Sequence, residues 1–377
     1  MKFFLLAGER SGDLHGANLI RAIRRHDPQA ELRAWGGDDM EAAGATLLRH
    51  YRDLAFMGFW EVLKNWRALR GLMRQCQEDI AAFGPDAVVL IDYGGFNLRL
   101  ARFAKQQGIN TFFYISPKVW AWNQHRALRI KRDVDRLFVI FPFEVEFFKK
   151  YDYAVDYVGN PLFDAIAAFR PDPLFLEKNN LGGKPIVALL PGSRRQEVES
   201  ILPDMLRAVK HFPNHQFVVA AVSNLPRDLY DRLLGDLRLP LVTDAAYDLL
   251  AHAQAALVTS GTATLETALL NVPQVVCYRT SFLTYEVAKR LMKVPYISLV
   301  NLVAGREVVS ELIQGDLNEK RLVSELEKVT IDTESRARQL ESYVEIRRML
   351  GEEGASERAG ELMVKYLREG IQNEKTG

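Results

Sequence analysis

Residues able to do chemistry gather in glycine- and hydroxyl-rich loops of the 377-residue chain. In Leu189-Leu-Pro-Gly-Ser-Arg-Arg-Gln-Glu-Val198, Gly192 and Ser193 open a helical pattern and Arg194 stands beside them. Exposed amides, a helix dipole and a guanidinium fork suit a diphosphate; the plainer alternative is a capped helix with surface arginines. In Thr259-Ser-Gly-Thr-Ala-Thr-Leu-Glu266, the small residues Ser260, Gly261 and Thr262 leave room for a phosphate at another helix start. Glu266 follows on that helix, and an ionised carboxylate can accept two hydrogen bonds from a vicinal diol such as a ribose. Taken alone, Glu266 reads as a surface glutamate. In Ile91-Asp-Tyr-Gly-Gly-Phe-Asn97 a lone carboxylate, Asp92, ends a very apolar run. It suits either a base for a hydroxyl nucleophile or a cap for the next helix.

Two further loops are less specific. Gly8-Glu-Arg-Ser-Gly-Asp-Leu-His-Gly16 has glycines at 8, 12 and 16 that allow close backbone approach to a ligand, with Glu9 beside them and Ser11 or Asp13 as a helix cap. Its spacing is not the dinucleotide fingerprint, and a simple glycine turn remains open. Tyr296–Arg306 contains Asn301, which can donate and accept as a base edge requires, or can be a buried structural amide. The seven histidines are scattered, and the His-Glu-x-x-His, Gly-x-Ser-x-Gly and Walker patterns are absent. Cys76 and Cys277 are too few for a disulfide framework or a cysteine-built zinc site, and fit a reducing compartment.

An amphiphilic partner is suggested by Phe59–Arg74. Phe59, Val62, Leu63, Trp66, Leu69, Leu72 and Met73 form one helical stripe, Trp60 adds an aromatic ring, and Lys64, Arg67, Arg70 and Arg74 outnumber Glu61. Basic interfacial helices bind anionic surfaces this way; a helix packed on its own core is the alternative. The segment Pro117–Arg132 is also basic; it suits contact with a phosphate or an acidic headgroup, or a solvated helix behind two packed tryptophans, Trp120 and Trp122. Net charge is +1, from 49 basic and 48 acidic residues, so no global field for nucleic acid exists. The opening apolar run meets Glu9 and Arg10 too soon for a signal h-region, and no run approaches ~18 apolar residues. The expected location is therefore cytoplasmic, with any membrane contact made from the surface.

The elements that must position these loops alternate in type. Apolar runs at Lys2–Ala7, Glu31–Trp35, Ala87–Ile91, Thr111–Ile115, Leu137–Ile140 and Val155–Val158 are separated by segments mostly of helical length. A second series follows at Ile186–Leu190, Gln216–Ala221, Leu241–Thr243, Ala255–Val258 and Gln274–Tyr278. Continuous apolar strands imply a parallel sheet covered on both faces. Breakers across Phe163–Lys184 mark a boundary. The expected organisation is a domain at 1–165, a second at 166–350, and a C-terminal helix at 351–377 that packs on the first domain or on a partner chain. Ligands of such sheets bind beyond the carboxyl ends of the strands, where the loops above lie.

Taken jointly, AGERSGDLHGA, MGFWEVL, IDYGGFN, SPKVWAW, FPFEVEFF, VGNPL, LLPGSRRQEVE, SGTATLE and SLVNLVAGREVVSELIQ occur in one order from Ala7 to Gln314. The chain in this respect resembles the lipid-A-disaccharide synthase family. The resemblance implies an α/β glycosyltransferase-B fold, with two Rossmann-like doubly wound domains facing across a cleft. It implies UDP-2,3-diacylglucosamine as donor and 2,3-diacylglucosamine 1-phosphate (lipid X) as acceptor, an inverting β-1,6 transfer, and no cofactor or divalent ion. By resemblance Asp92 would be the base and Arg194 would stabilise the leaving group. Gly192, Ser193, Ser260–Thr262, Glu266 and Asn301 would hold UDP, and Gly8, Glu9, Ser11, Gly12 and Asp13 would face the sugars. Phe59, Trp60, Leu63, Lys64, Trp66, Arg67 and Arg70 would meet acyl chains or the inner membrane surface, with no nucleic-acid partner, and a homodimer is compatible. Departures are Gly94 for a usual proline, which would loosen the Asp92 loop, Val300 in the usual Leu-Pro-Asn, Asn123 after Trp-Ala-Trp, and Asn160 for a usual histidine. A UDP-GlcNAc epimerase or a non-catalytic nucleotide-sugar binder are the rival readings.

Overall fold

In the computed structural model, residues 1–53 and 66–370 are described. The chain divides into two compact units, Met1–Asp164 with Glu352–Gly377, and Ala165–Gly351.

The first unit is built on seven parallel strands: β1 (Lys2–Ala7), β2 (Glu31–Gly36), β3 (Thr46–His50), β4 (Ala87–Ile91), β5 (Asn110–Tyr114), β6 (Arg136–Val139) and β7 (Asp156–Tyr157). Their order is β3-β2-β1-β4-β5-β6-β7. Alternate side chains of a strand point to opposite faces. Phe3 and Leu5 are fully buried among residues of the helices Arg10–His26 and Ala355–Glu369, while Phe4, Leu6, Val88 and Leu90 on the other face are equally buried. Both faces are covered, which is why β1 and β4 carry no polar alternation. Where Ala355–Glu369 meets Arg10–His26, a Cβ on Gly360 would lie 2.6 Å from Ala22 Cβ and 3.0 Å from its backbone, so only glycine permits this approach.

The second unit repeats the plan with β8 (Ile186–Leu190), β9 (Gln216–Ala221), β10 (Leu241–Thr243), β11 (Ala253–Thr259), β12 (Gln274–Tyr278) and β13 (Glu311–Ile313), ordered β10-β9-β8-β11-β12-β13. Val187 and Leu189 pack with Val198, Ile201 and Met205 of the helix Arg195–Leu206, and Ile186, Ala188 and Leu190 pack with Leu249, Leu250 and Phe175. The helix Thr333–Leu350 belongs to this unit; Gln339 and Tyr343 on it bond Gln274 at the start of β12.

Two strands are absent from the expectation, β3 and β13. Both lie at sheet edges, where half-burial replaces the continuous apolar run that reveals central strands.

The strand order of each sheet reverses once, between β1 and β4 and between β8 and β11. At such a reversal the crossover helices depart to opposite faces and leave a crevice at the carboxyl ends. That rule places the first crevice between the Gly8–Gly16 and Asp92 loops and the second between the Gly192–Arg194 and Ser260–Thr262 loops.

Candidate active site

Asp92 follows β4 directly, in a strained turn. Asp92 and Tyr93 are consecutive non-glycine residues at φ 46° and 44°, a left-handed conformation costing of order 1–3 kcal/mol each. A sharp strand-to-helix turn of this kind exposes a functional side chain at the sheet's carboxyl edge. Asn97 Nδ2 donates to the carbonyls of Ile91 at 3.2 Å and Asp92 at 2.8 Å. Tyr93 links this loop to the first one: a Cβ on Gly8 would lie 2.5 Å from Tyr93 Cγ, so Gly8 exists here to admit that ring. Gly94 is packed too, since a Cβ there would lie 2.7 Å from Pro117 Cβ.

The Gly8–Gly16 loop is used more for packing than expected. Gly12 approaches Ala7 and Ile91, and Gly16 makes room for Met40 Sδ. Ser11 Oγ donates to Glu9 Oε1 at 3.0 Å, and both residues are exposed. Asp13 does not cap its own helix. It is buried, and it accepts the amides of Gly37 at 2.7 Å, Asp39 at 3.1 Å and Met40 at 3.1 Å, so it caps the short helix Asp38–Ala42 after β2. Burial pushes its carboxyl pKa up against those hydrogen bonds. Its carboxylate organises the loop beside the crevice.

In the second unit Gly192 adopts φ 113° and leads into the helix Arg195–Leu206. A residue not singled out from the sequence, Glu197, reaches back over this turn. Its Oε2 accepts the amides of Ser193 at 3.2 Å and Arg194 at 3.3 Å, and its Oε1 lies 3.4 Å from Arg194 Nη1. Two of the donors expected for a diphosphate, the Ser193 amide and the Arg194 guanidinium, therefore meet at this carboxylate, joined by the Arg194 amide. The signal was present, since a glutamate at the third helical position commonly caps the helix start. The Tyr278 hydroxyl has its pKa raised by burial and by Glu197.

Ser260 Oγ donates to the Ile297 carbonyl at 2.9 Å, which brings the Ser260–Thr262 turn against the segment before Asn301. Gly261 occupies the N-cap position of the helix Thr262–Leu269, and Thr262 is exposed at its start. Glu266 departs from the surface reading. It is half-buried, accepts from Tyr247 at 2.8 Å, and has its pKa raised by desolvation. Nothing local foretells this pair, because Tyr247 comes from a different strand–helix unit.

Asn301 is placed otherwise than expected for a ligand contact. It is completely buried; Nδ2 donates to the Val309 carbonyl and Glu311 Oε1, both at 2.9 Å, and Oδ1 accepts from Val308 at 2.7 Å and Val309 at 3.0 Å. All its capacity is committed to tying the helix Leu299–Ala304 to β13, so its part is structural. Of the two tryptophans in Pro117–Arg132, Trp120 is buried, donating to Glu144 at 3.2 Å, and Trp122 is 47% exposed, so the packed alternative holds for Trp120 alone. Burial lifts Glu144 to about 7, opposed by the amides of Phe141 and Ile140. Asn160 is buried and accepts the Leu162 amide at 3.0 Å.

Phe59, Trp60, Leu63 and Lys64 lie outside the described residues, and Trp66 and Arg67 are described only as the start of the helix Trp66–Phe83. Arg70 on that helix is exposed.

Solved structures define the class to which this architecture belongs. A putative UDP-N-acetylglucosamine 2-epimerase from Listeria monocytogenes matches with TM-score 0.67 at 16% identity, covering 98% of this chain and 96% of that one. The calicheamicin glycosyltransferase CalG4 matches with TM-score 0.61 at 16% identity, covering 97% and 98%. The fold is thus the glycosyltransferase-B type, two Rossmann-like units shared by transferases and epimerases. Sequence relatives separate the two. A family model described as lipid-A-disaccharide synthetase matches residues 3–365. The lipid-A-disaccharide synthases of Myxococcus xanthus and Syntrophus aciditrophicus are 37% and 38% identical, each alignment covering 97% of both chains. The chain belongs to the lipid-A-disaccharide synthetase family.

Proposed function

We propose that the protein joins UDP-2,3-diacylglucosamine to 2,3-diacylglucosamine 1-phosphate, forming the β-1,6-linked disaccharide 1-phosphate and releasing UDP. The observation that carries this reading is the family match over residues 3–365, with Asp92 and Arg194 each beside the reversal point of its own sheet.

The acceptor's 6-hydroxyl oxygen bonds to the donor's anomeric carbon while the bond from that carbon to the UDP oxygen breaks. Attack from the opposite face inverts the configuration. The hydroxyl proton passes to the Asp92 carboxylate, as a carboxylate activates the incoming oxygen in inverting hydrolases. Charge gathers on the departing diphosphate, where Arg194 and the amides of Gly192 and Ser193 stabilise it. Glu197 yields the Ser193 amide and the Arg194 guanidinium when the diphosphate arrives. Glu266, with Ser260–Thr262, holds the UDP portion. Glu9 and Ser11 line the sugar side of the first crevice, Gly8 and Gly12 let the loop pack closely behind them, and Asp13 shapes it. The Phe59–Arg74 segment meets acyl chains at an anionic membrane surface on the cytoplasmic side. The helix Ala355–Glu369 packs on the first unit of its own chain, and a homodimer is compatible with this reading.

The test is purified protein with both acylated substrates and mass detection of a tetra-acyl disaccharide 1-phosphate. UDP release without the acceptor, or no disaccharide with it, would defeat the proposal.

A further inference from the structure

We infer that Asn97 is a positioning residue for the Asp92 carboxylate, acting through the backbone of the turn that carries it. This rests on reading Asp92 as the base. A left-handed pair of non-glycine residues persists only where its surroundings over-determine it. Here the Asp92 amide extends the sheet by donating to the Tyr114 carbonyl at 3.1 Å, and the Tyr93 carbonyl accepts the Asn97 amide at 3.2 Å.

Between these restraints stands the Asn97 side chain. Its Nδ2 carries two hydrogens and donates to two acceptors, the carbonyls of Ile91 and Asp92. Each carbonyl belongs to one of the rigid peptide planes flanking the Asp92 Cα. Holding both planes sets φ and ψ of Asp92, and so the direction of its Cα–Cβ bond. Asn97 is completely buried, and its Oδ1 has no hydrogen-bond partner. Packing alone is better served by an apolar side chain of this size, because an unsatisfied buried acceptor is unfavourable. The residue is therefore explained by its donor group. Direction matters to a base, since a displacement of about 1 Å can cost about 10²-fold in rate.

Transfer kinetics and UDP calorimetry on Asn97→Ala, Asp92→Asn and the double variant test the inference. Asn97→Ala is expected to slow turnover about 10- to 100-fold while KM and UDP affinity stay within about twofold. The double variant is expected to be no slower than Asp92→Asn alone, because Asn97 acts only through that carboxylate. Equal losses from Asn97→Ala in both backgrounds overturn the inference and leave the base reading standing. Near-wild-type turnover by Asp92→Asn removes the base reading, and this inference with it. Where the alanine variant does not fold, Asn97→Leu, similar in size but without the donor, enters the same cycle. Normal turnover in either folded variant overturns the inference.

Discussion

Removing the Asp92 negative charge while keeping its shape separates proton transfer from binding. Asp92→Asn is expected to retain UDP affinity by calorimetry and to slow transfer about 10²-fold or more, the usual contribution of a positioned base. Turnover near the wild-type rate would end that assignment. Arg194 is a different case. Its guanidinium is 76% exposed and lies 3.4 Å from Glu197, an ion pair that water and salt screen, so it contributes little to stability. Arg194→Ala should therefore leave the urea midpoint nearly unchanged while lowering donor affinity and reducing turnover about 10²–10³-fold. Unaltered kinetics would exclude the diphosphate role. His15 carries the pH prediction. Burial lowers its pKa to about 4 against the opposing pull of Asp164, and its Nδ1 has no hydrogen-bond partner. The unfolded ring titrates near 6.5, so between these values the unfolded chain binds more protons. Its contribution to stability is present above about 6.5 and is lost as pH falls through the window toward 4. His15→Gln should flatten that slope in urea titrations at pH 5 and 7; an unchanged slope would refute the burial argument.

Among the elements, the glycine spacing of the first loop suggests room for a ligand, whereas two of its glycines, and Gly360 elsewhere in the chain, admit neighbouring side chains or a helix. Gly8 admits the Tyr93 ring, Gly16 admits Met40, and Gly360 lets Ala355–Glu369 settle on Arg10–His26. From sequence alone these uses are indistinguishable, because both require only a missing Cβ. Their energetics differ from those of an open site. Gly360→Ala meets backbone, which cannot rotate away, and should destabilise by about 1–3 kcal/mol, seen as a lower urea midpoint. Gly95, in the helix Gly94–Gln106, faces open space, so Gly95→Ala should stabilise by about 0.5–1 kcal/mol. A wild-type midpoint for Gly360→Ala would mean the two helices are not in close contact.

For the whole molecule, a net charge of +1 provides no long-range attraction to an anionic surface. No helix among the described residues is long and apolar enough to cross a membrane. The membrane contact proposed above therefore requires a local cationic face, and Phe59–Arg74 is the segment whose composition supports one. Replacing Lys64, Arg67 and Arg70 together with glutamine should weaken binding to anionic liposomes and reduce its salt dependence. An unaltered salt profile would make the segment a packing element only.

Alternation of apolar runs with helical lengths was enough to read two doubly wound units, because central parallel strands are covered on both faces and lose all polar alternation. Edge strands β3 and β13 escaped that reading because they are covered incompletely. The loops holding Asp92, Arg194 and Ser260–Thr262 were legible for a related reason: in such sheets every strand must turn at its carboxyl end, and the residues that permit tight turns and bind anions are few. What each side chain there bonds to was settled only by folding. Asp13 turned to cap a helix after β2, Asn301 closed on β13, Glu197 returned to the amides beside it, and Tyr247 found Glu266 from another unit of the sheet. A hydrogen bond depends on distance and direction between atoms that, for Asp13 and for Tyr247 with Glu266, lie far apart along the chain, and strand order with crossover geometry sets those.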